Sequence, residues 1–185
     1  MVFAKIKEHF ENKKYCRITR AISDSLVETI SGYIVDYSDS LIILQEANEF
    51  EILGFHILPV NQIKEVRFNR ADRYCDKIIT WEGEKGKLGV RYQIDLSSWA
   101  TVFKSLKKQG LIIIIECEAA KINTFNIGPI TRTVNQVVYI QYFDATGYLD
   151  EKSTSIDFES ITKVQFDTRY INVFGKYLRR RKKTK

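Results

Sequence analysis

GYIVDYSDSLIILQE, residues 32–46, is the stretch on which the fold turns. A glycine leads into Ile34; after the polar hinges Asp36 and Ser38-Asp39-Ser40 comes the unbroken apolar set Leu41, Ile42, Ile43 and Leu44. Short apolar runs rich in β-branched residues and bounded by turn residues read as strands, because such side chains pack well on a pleated surface. The stretch therefore reads as a bent strand, a tight turn and a second strand. A relative of it, GPITRTVNQVVYIQ, begins at Gly128 and carries the turn residue Asn135.

The likeness extends outward in both directions at an offset of 96 residues. Upstream, Phe3, Ile6 and Phe10 fall on one helical face, as do Trp99, Val102, Phe103 and Leu106. Phe3 then matches Trp99, Ile6 matches Val102 and Phe10 matches Leu106. Ser97 or Ser98 suits the start of the second helix and Gly110 its end. Downstream, Gly32 meets Gly128, and Arg73-Tyr74 meets Arg169-Tyr170. Between them a two-residue insertion moves the match to 98, where Ile63 meets Ile161 and Phe68 meets Phe166.

Each unit thus predicts one helix followed by five short strands. In the first unit the strands are expected at 16–23, 29–37, 41–49, 55–69 (bent near Pro59) and 77–81. In the second they are expected at 111–119, 124–134, 137–143, 154–166 and 170–177. The glycine- and charge-rich segment GEKGKLG marks a linker. The division is residues 1–82, a linker at 83–96, a second unit at 97–178 and a basic tail at 179–185. A small sheet avoids open edges by curling up, so each unit is expected to be a strongly bent five-stranded barrel with a helix at one end. The fold class is mainly β with short helices.

The pattern at Gly32 resembles the first motif of the Sm/LSm proteins and their Hfq relatives: Ile30-Ser-Gly32-Tyr-Ile34, a turn at Ser38-Asp39-Ser40, then Leu41-Ile-Ile-Leu44. The second copy runs Ile127-Gly128-Pro-Ile130, Asn135-Gln136, Val137-Val-Tyr-Ile140. Tandem-barrel bacterial proteins without an assigned activity are similar as well. The resemblance implies that barrels join edge to edge, the fourth strand of one pairing with the fifth of the next. Three such chains would make a homo-oligomeric ring of six barrels. It places Gly32, Asp39, Gly128 and Asn135 at the Sm-like turns. The family's base-pocket Asn position is Ile42 here, and Val138 in the second copy. Its Arg-Gly or Lys-His pair falls on 59–63 and 157–161, where no Arg, Lys or His stands.

Composition bounds the rest. Of 29 basic residues, seven lie beyond residue 175, while all 23 acidic residues lie before it. The first 175 residues therefore carry 22 basic against 23 acidic groups, a net of −1, and the charge of +6 sits in the tail. Such a block reads either as an interaction tail, through which phosphate binding would weaken steeply with salt, or as a solubilising terminus. Arg179, Arg180, Arg181, Lys182 and Lys183, with the strand aromatics Tyr37 and Tyr142, are the candidate nucleic-acid contacts. The three cysteines are scattered and read as free thiols in a reducing compartment, so a cytoplasmic location is expected. The N-terminal stretch has no apolar core of a secretory signal, and the longest apolar run is too short to span a bilayer. No metal-ligand spacing or phosphate loop occurs, and His9 and His56 read as surface histidines without a nucleophile partner. No catalytic residue, metal or cofactor is expected. The function class is a non-enzymatic binding or assembly module with a protein partner or self-association, and RNA or single-stranded nucleic-acid binding is the alternative.

Overall fold

A computed structural model describes residues 2–23, 26–119 and 122–180. The first half begins with α1 (Val2–Glu11), whose inner face is set by Ile6, fully buried, beside the buried His9. Then come β1 (Tyr15–Ser23), β2 (Leu26–Tyr37), β3 (Leu41–Asn48) and β4 (Glu51–Pro59). A single 3-10 turn, Val60–Gln62, leads into β5 (Ile63–Arg67) and α2 (Arg70–Trp81). The second half runs α3 (Trp99–Lys108), β6 (Ile112–Ala119), β7 (Ile122–Val134), β8 (Val137–Ile140), β9 (Tyr148–Leu149) and β10 (Thr154–Asp157). A matching 3-10 turn, Phe158–Ser160, leads into β11 (Lys163–Phe166), α4 (Arg169–Phe174) and β12 (Arg179–Arg180).

Ten strands form one antiparallel sheet in the order β10-β8-β7-β6-β11-β4-β3-β2-β1-β5. Within it each half repeats one order: its fourth strand, third, second, first, then fifth. The strands do not close into two separate barrels, as the sequence led us to expect. The 3-10 turn after the fourth strand swings the chain away, so the fifth strand pairs with the first and leaves the fourth with a free edge. In the first half that edge is filled by β11, in the register Val164↔Ile57, Gln165↔His56 and Phe166↔Phe55. The junction also carries a stacked pair, Phe55 and Phe166, with ring centroids 4.9 Å apart. Each such ring contributes about 1.5–3 kcal/mol by leaving water. One apolar core runs through the junction, taking Ile43, Phe55 and Ile57 from one half and Phe103, Ile113 and Val164 from the other.

Several expected elements are corrected. Each long bent strand, 55–69 and 154–166, is two strands with the 3-10 turn between them. The last strand expected in each unit is a helix instead. Residues 77–81 end α2, which a capping box starts: the Asn69 side chain accepts from the Asp72 amide, and the Asp72 carboxylate accepts from the Asn69 amide. Residues 170–177 fall in α4 and the 3-10 turn after it, begun by Thr168, whose hydroxyl accepts from the Ile171 amide. Their aromatic content suits strands, but the caps select helix, and Ile79 and Ile171 are the buried apolar anchors of the two helices. The segment 83–96 is not a loose tether: Leu96 is buried, and Val90, Tyr92 and Ile94 pack on the shared core. Both histidines are buried rather than on the surface.

Candidate functional site

The two glycines of the repeated motif set the geometry of each turn. A side chain on Gly32 would put its Cβ 2.1 Å from the Gln45 carbonyl oxygen, and one on Gly128 would lie 2.0 Å from that of Gln141. The second strand of each half therefore crosses the third too closely for any residue but glycine. Beyond the crossing, the Ser38 hydroxyl accepts from the Leu41 amide and donates to the Leu96 carbonyl at 2.9 Å, tying the first turn to the inter-unit segment. In the second turn Asn135 and Gln136 both hold positive φ, 48° and 63°. That is the backbone of a two-residue hairpin turn.

These turns meet. A cleft of about 600 Å³ lies between the halves, lined by Asp39 of the first turn and Gln136 of the second. The 3-10 turns that follow β4 and β10 and the start of α3 complete it. Among the described residues its lining holds two carboxylates, Asp39 and Glu159, and no Lys, Arg or His. Such a cleft offers hydrogen-bond partners to a neutral polar or cationic group and opposes phosphate.

Joined to the cleft residue Gln62 through Arg20, at 3.2 Å, is a buried ionic network that sequence spacing did not disclose. The Arg20 side chain on β1 is fully buried, and it donates to Glu28 on β2 at 2.6 Å and to Glu118 on β6 at 2.6 Å. It also donates to the Thr162 carbonyl at 2.9 Å. Lys163 on β11 reaches Glu28 at 2.9 Å and Glu116 at 3.2 Å. Burial works against the Glu28 charge, but Lys163 and Arg20 outweigh it and hold the carboxyl below its ordinary range. Nearby, His56 Nε2 and Glu46 lie 2.9 Å apart, and this hydrogen bond lowers the Glu46 carboxyl. Two strands of the first half and two elements of the second are thus locked by charge. Nothing local marks these residues, since each partner lies on a different strand.

The candidate nucleic-acid contacts are scattered. Tyr37 packs edge-on against Phe3 and Phe10 of α1. Tyr142 packs beside Ile112 and Phe174 under α4. Neither is an open platform for a base. Arg179 lies over the Tyr148 ring at 4.3 Å, and Arg180 is exposed. Arg181, Lys182 and Lys183 lie outside the described residues. Cys16 and Cys117 are buried and Cys75 half-buried. Burial pushes the Cys16 thiol far up. Among the described residues no group of three or more His, Cys, Asp or Glu is placed to hold a metal ion, and no helix is long and apolar enough to cross a membrane. Large rings stand in water at Tyr74, Trp81, Tyr170 and Tyr177, and the last three lie in segments that read as strands. The Asn69-to-Asp72 spacing was the signal that could have found the first pair.

No protein-family model, curated protein or solved structure matches this chain.

Proposed function

We propose that the chain is a non-enzymatic binding and assembly module built from two Sm-like units. One observation carries this reading: the ten-stranded sheet ends in a fourth-position strand, β10, on one side and a fifth-position strand, β5, on the other. The chain thus holds one filled junction, β4 with β11, and two unfilled edges of the complementary kinds. Repetition of the internal pairing between chains is head-to-tail, and such contacts either close as rings or run on as filaments. The repeated helix, the close glycine crossings at Gly32 and Gly128 and the bent strands support a six-unit ring of three chains.

The open junction is weaker than the filled one. At an offset of 98, the place of Phe55 is taken by Ser153 and that of Gly54 by Lys152. The aromatic stack is lost and the strand edge is more polar, so assembly depends on concentration. Multi-angle light scattering across a dilution series tests this. The expected mass rises from that of one 21.6 kDa chain to that of a closed multiple, three for the ring. A monomeric mass throughout the micromolar range overturns the reading.

A second reading, single-stranded nucleic-acid binding, rests on the tail alone, because Tyr37 and Tyr142 are packed. Arg179 and Arg180 are exposed at its start. Truncation after Gly175 should abolish RNA affinity, and binding should fall steeply with salt. An unchanged affinity removes this reading.

A further inference from the structure

The least explained surfaces of the molecule are the outer faces of α2 and α4. Tyr74 and Trp81 are 59% and 68% exposed, and Tyr170 and Tyr177 are 55% and 70% exposed. The four residues form a duplicated pattern: Arg73-Tyr74 and Trp81 recur 96 residues on as Arg169-Tyr170 and Tyr177. Each half thus leaves two large rings in water: Tyr74 and Trp81 on α2, and Tyr170 on α4 with Tyr177 on the 3-10 turn after it.

Cations flank both pairs. Arg70, Arg73 and Lys77 share the outer face of α2 with Tyr74 and border a shallow concavity of about 840 Å³. The carboxylates within α2 are engaged inward. Asp72 pairs with Arg67 at 2.9 Å, and Asp76 accepts from the Tyr33 hydroxyl at 2.6 Å and pairs with Lys85 at 2.8 Å. Just past the helix, Glu82 is an exposed acid. In the second half Arg169 and Lys176 are exposed beside Tyr170 and Tyr177. A smaller concavity of about 390 Å³ lies against Val173, Tyr177 and Arg179.

We propose that these are two equivalent docking faces for an acidic protein segment, one that alternates carboxylates with aromatic or leucine side chains. Charge selects the sign of the occupant, and tyrosine, tryptophan and arginine are the residues that anchor protein partners. A nucleic acid fits less well. Each face offers a short group of cations, and the first 175 residues carry a net of −1, whereas strand-tracking of phosphates calls for a long basic groove. The rings are also partly engaged by neighbours: Tyr74 meets Trp81 edge-on at 6.2 Å, and Tyr170 tilts on Phe174 at 5.4 Å. A second copy of the same face is repelled by like charge. Two faces on one chain favour a partner with two motifs, since the second contact is made at high effective concentration. Peptide binding reads helix side chains and oligomeric mass reads strand pairing, so either can fail without the other.

The test is selection of a random-peptide display library on the immobilised full chain, followed by fluorescence anisotropy of the best peptide. Enriched sequences should alternate acidic with aromatic or leucine residues. Tyr74→Ala with Trp81→Ala, Tyr170→Ala with Tyr177→Ala, and Arg73→Glu should each remove one of two binding sites, and the four ring substitutions together should weaken binding about tenfold or more. Their melting curves should match the parent, because every substituted side chain is exposed. Removal of residues 181–185 should leave binding unchanged, which separates this surface from the tail. Absence of enrichment, enrichment without acidic residues, or binding indifferent to all three variants overturns the proposal. So does an oligo(dT) probe that binds tighter than the peptide and is lost in the same variants, which would assign the faces to nucleic acid.

Discussion

At the scale of single residues, Arg20 holds the most charge in the least water. It is fully buried, and its partners Glu28, Glu118 and the Thr162 carbonyl come from both halves. Arg20→Ala strands two carboxylates beside Lys163 alone and is expected to cost about 3–5 kcal/mol in urea unfolding. His9 acts through protons. It is buried against Phe68, and desolvation lowers its pKa from 6.5. The native state therefore prefers neutral imidazole, so its contribution is complete above the unfolded value of 6.5 and is lost as pH falls through the folded value. Urea midpoints measured between about pH 7.5 and 5.5 should fall for the parent and stay flatter for His9→Leu. The lowered carboxyls of Glu28 and Glu46 act in a separate window, with stability present above 4.5 and lost further into acid. Thiol chemistry follows burial: iodoacetamide should modify Cys75 in the native protein, and Cys16 and Cys117 only after unfolding.

At the scale of elements, the close crossings decide what each strand tolerates. Gly32→Ala drives a Cβ into the Gln45 carbonyl and is expected to cost about 3 kcal/mol or more, whereas Gly86→Ala, with open space around it, should stay within about 0.5 kcal/mol. Thermal melts of the two variants check the contrast. Gly54 has a different role. Its missing side chain admits the turn into α4, where a Cβ would lie 2.7 Å from the Asp167 carbonyl oxygen and the Thr168 Cα. Gly54→Val should push α4 off β4 and loosen the β4–β11 pairing. Faster amide exchange at 163–166, with exchange in β2 unchanged, would register this. The turns after β4 and β10 show why the expected strand boundaries failed. The apolar pattern runs on through Pro59 and Asp157, and only the backbone bend at Val60–Gln62 and Phe158–Ser160 divides one strand into two.

At the scale of the whole molecule, the two halves form one sheet and share one core. Residues 1–96 alone would expose the β4 edge together with Phe55 and Ile57, which β11 and the second-half core otherwise cover. Such an edge is a template for pairing, so that fragment is expected to associate or aggregate in sedimentation where the full chain stays defined. The duplicated unit, its glycines at 32 and 128 and the mainly β class were legible in the chain, because hydrophobic spacing and turn chemistry act over a few residues. The convergence of Asp39 and Gln136 on one cleft was not, nor was the Arg20–Glu118–Lys163 network. Arg20 and Glu118 are 98 positions apart and sit on strands of different halves, and the strand order joins them. The reading also missed the helix at Trp81 and at Tyr170, since aromatic content favours strands until a cap selects helix. By itself, then, the sequence determined the repeating unit, whose signals are local. Only the tertiary structure decided that β11 fills the edge of β4, because strand pairing is a choice among distant edges whose outcome depends on how each chain turn aims the next strand.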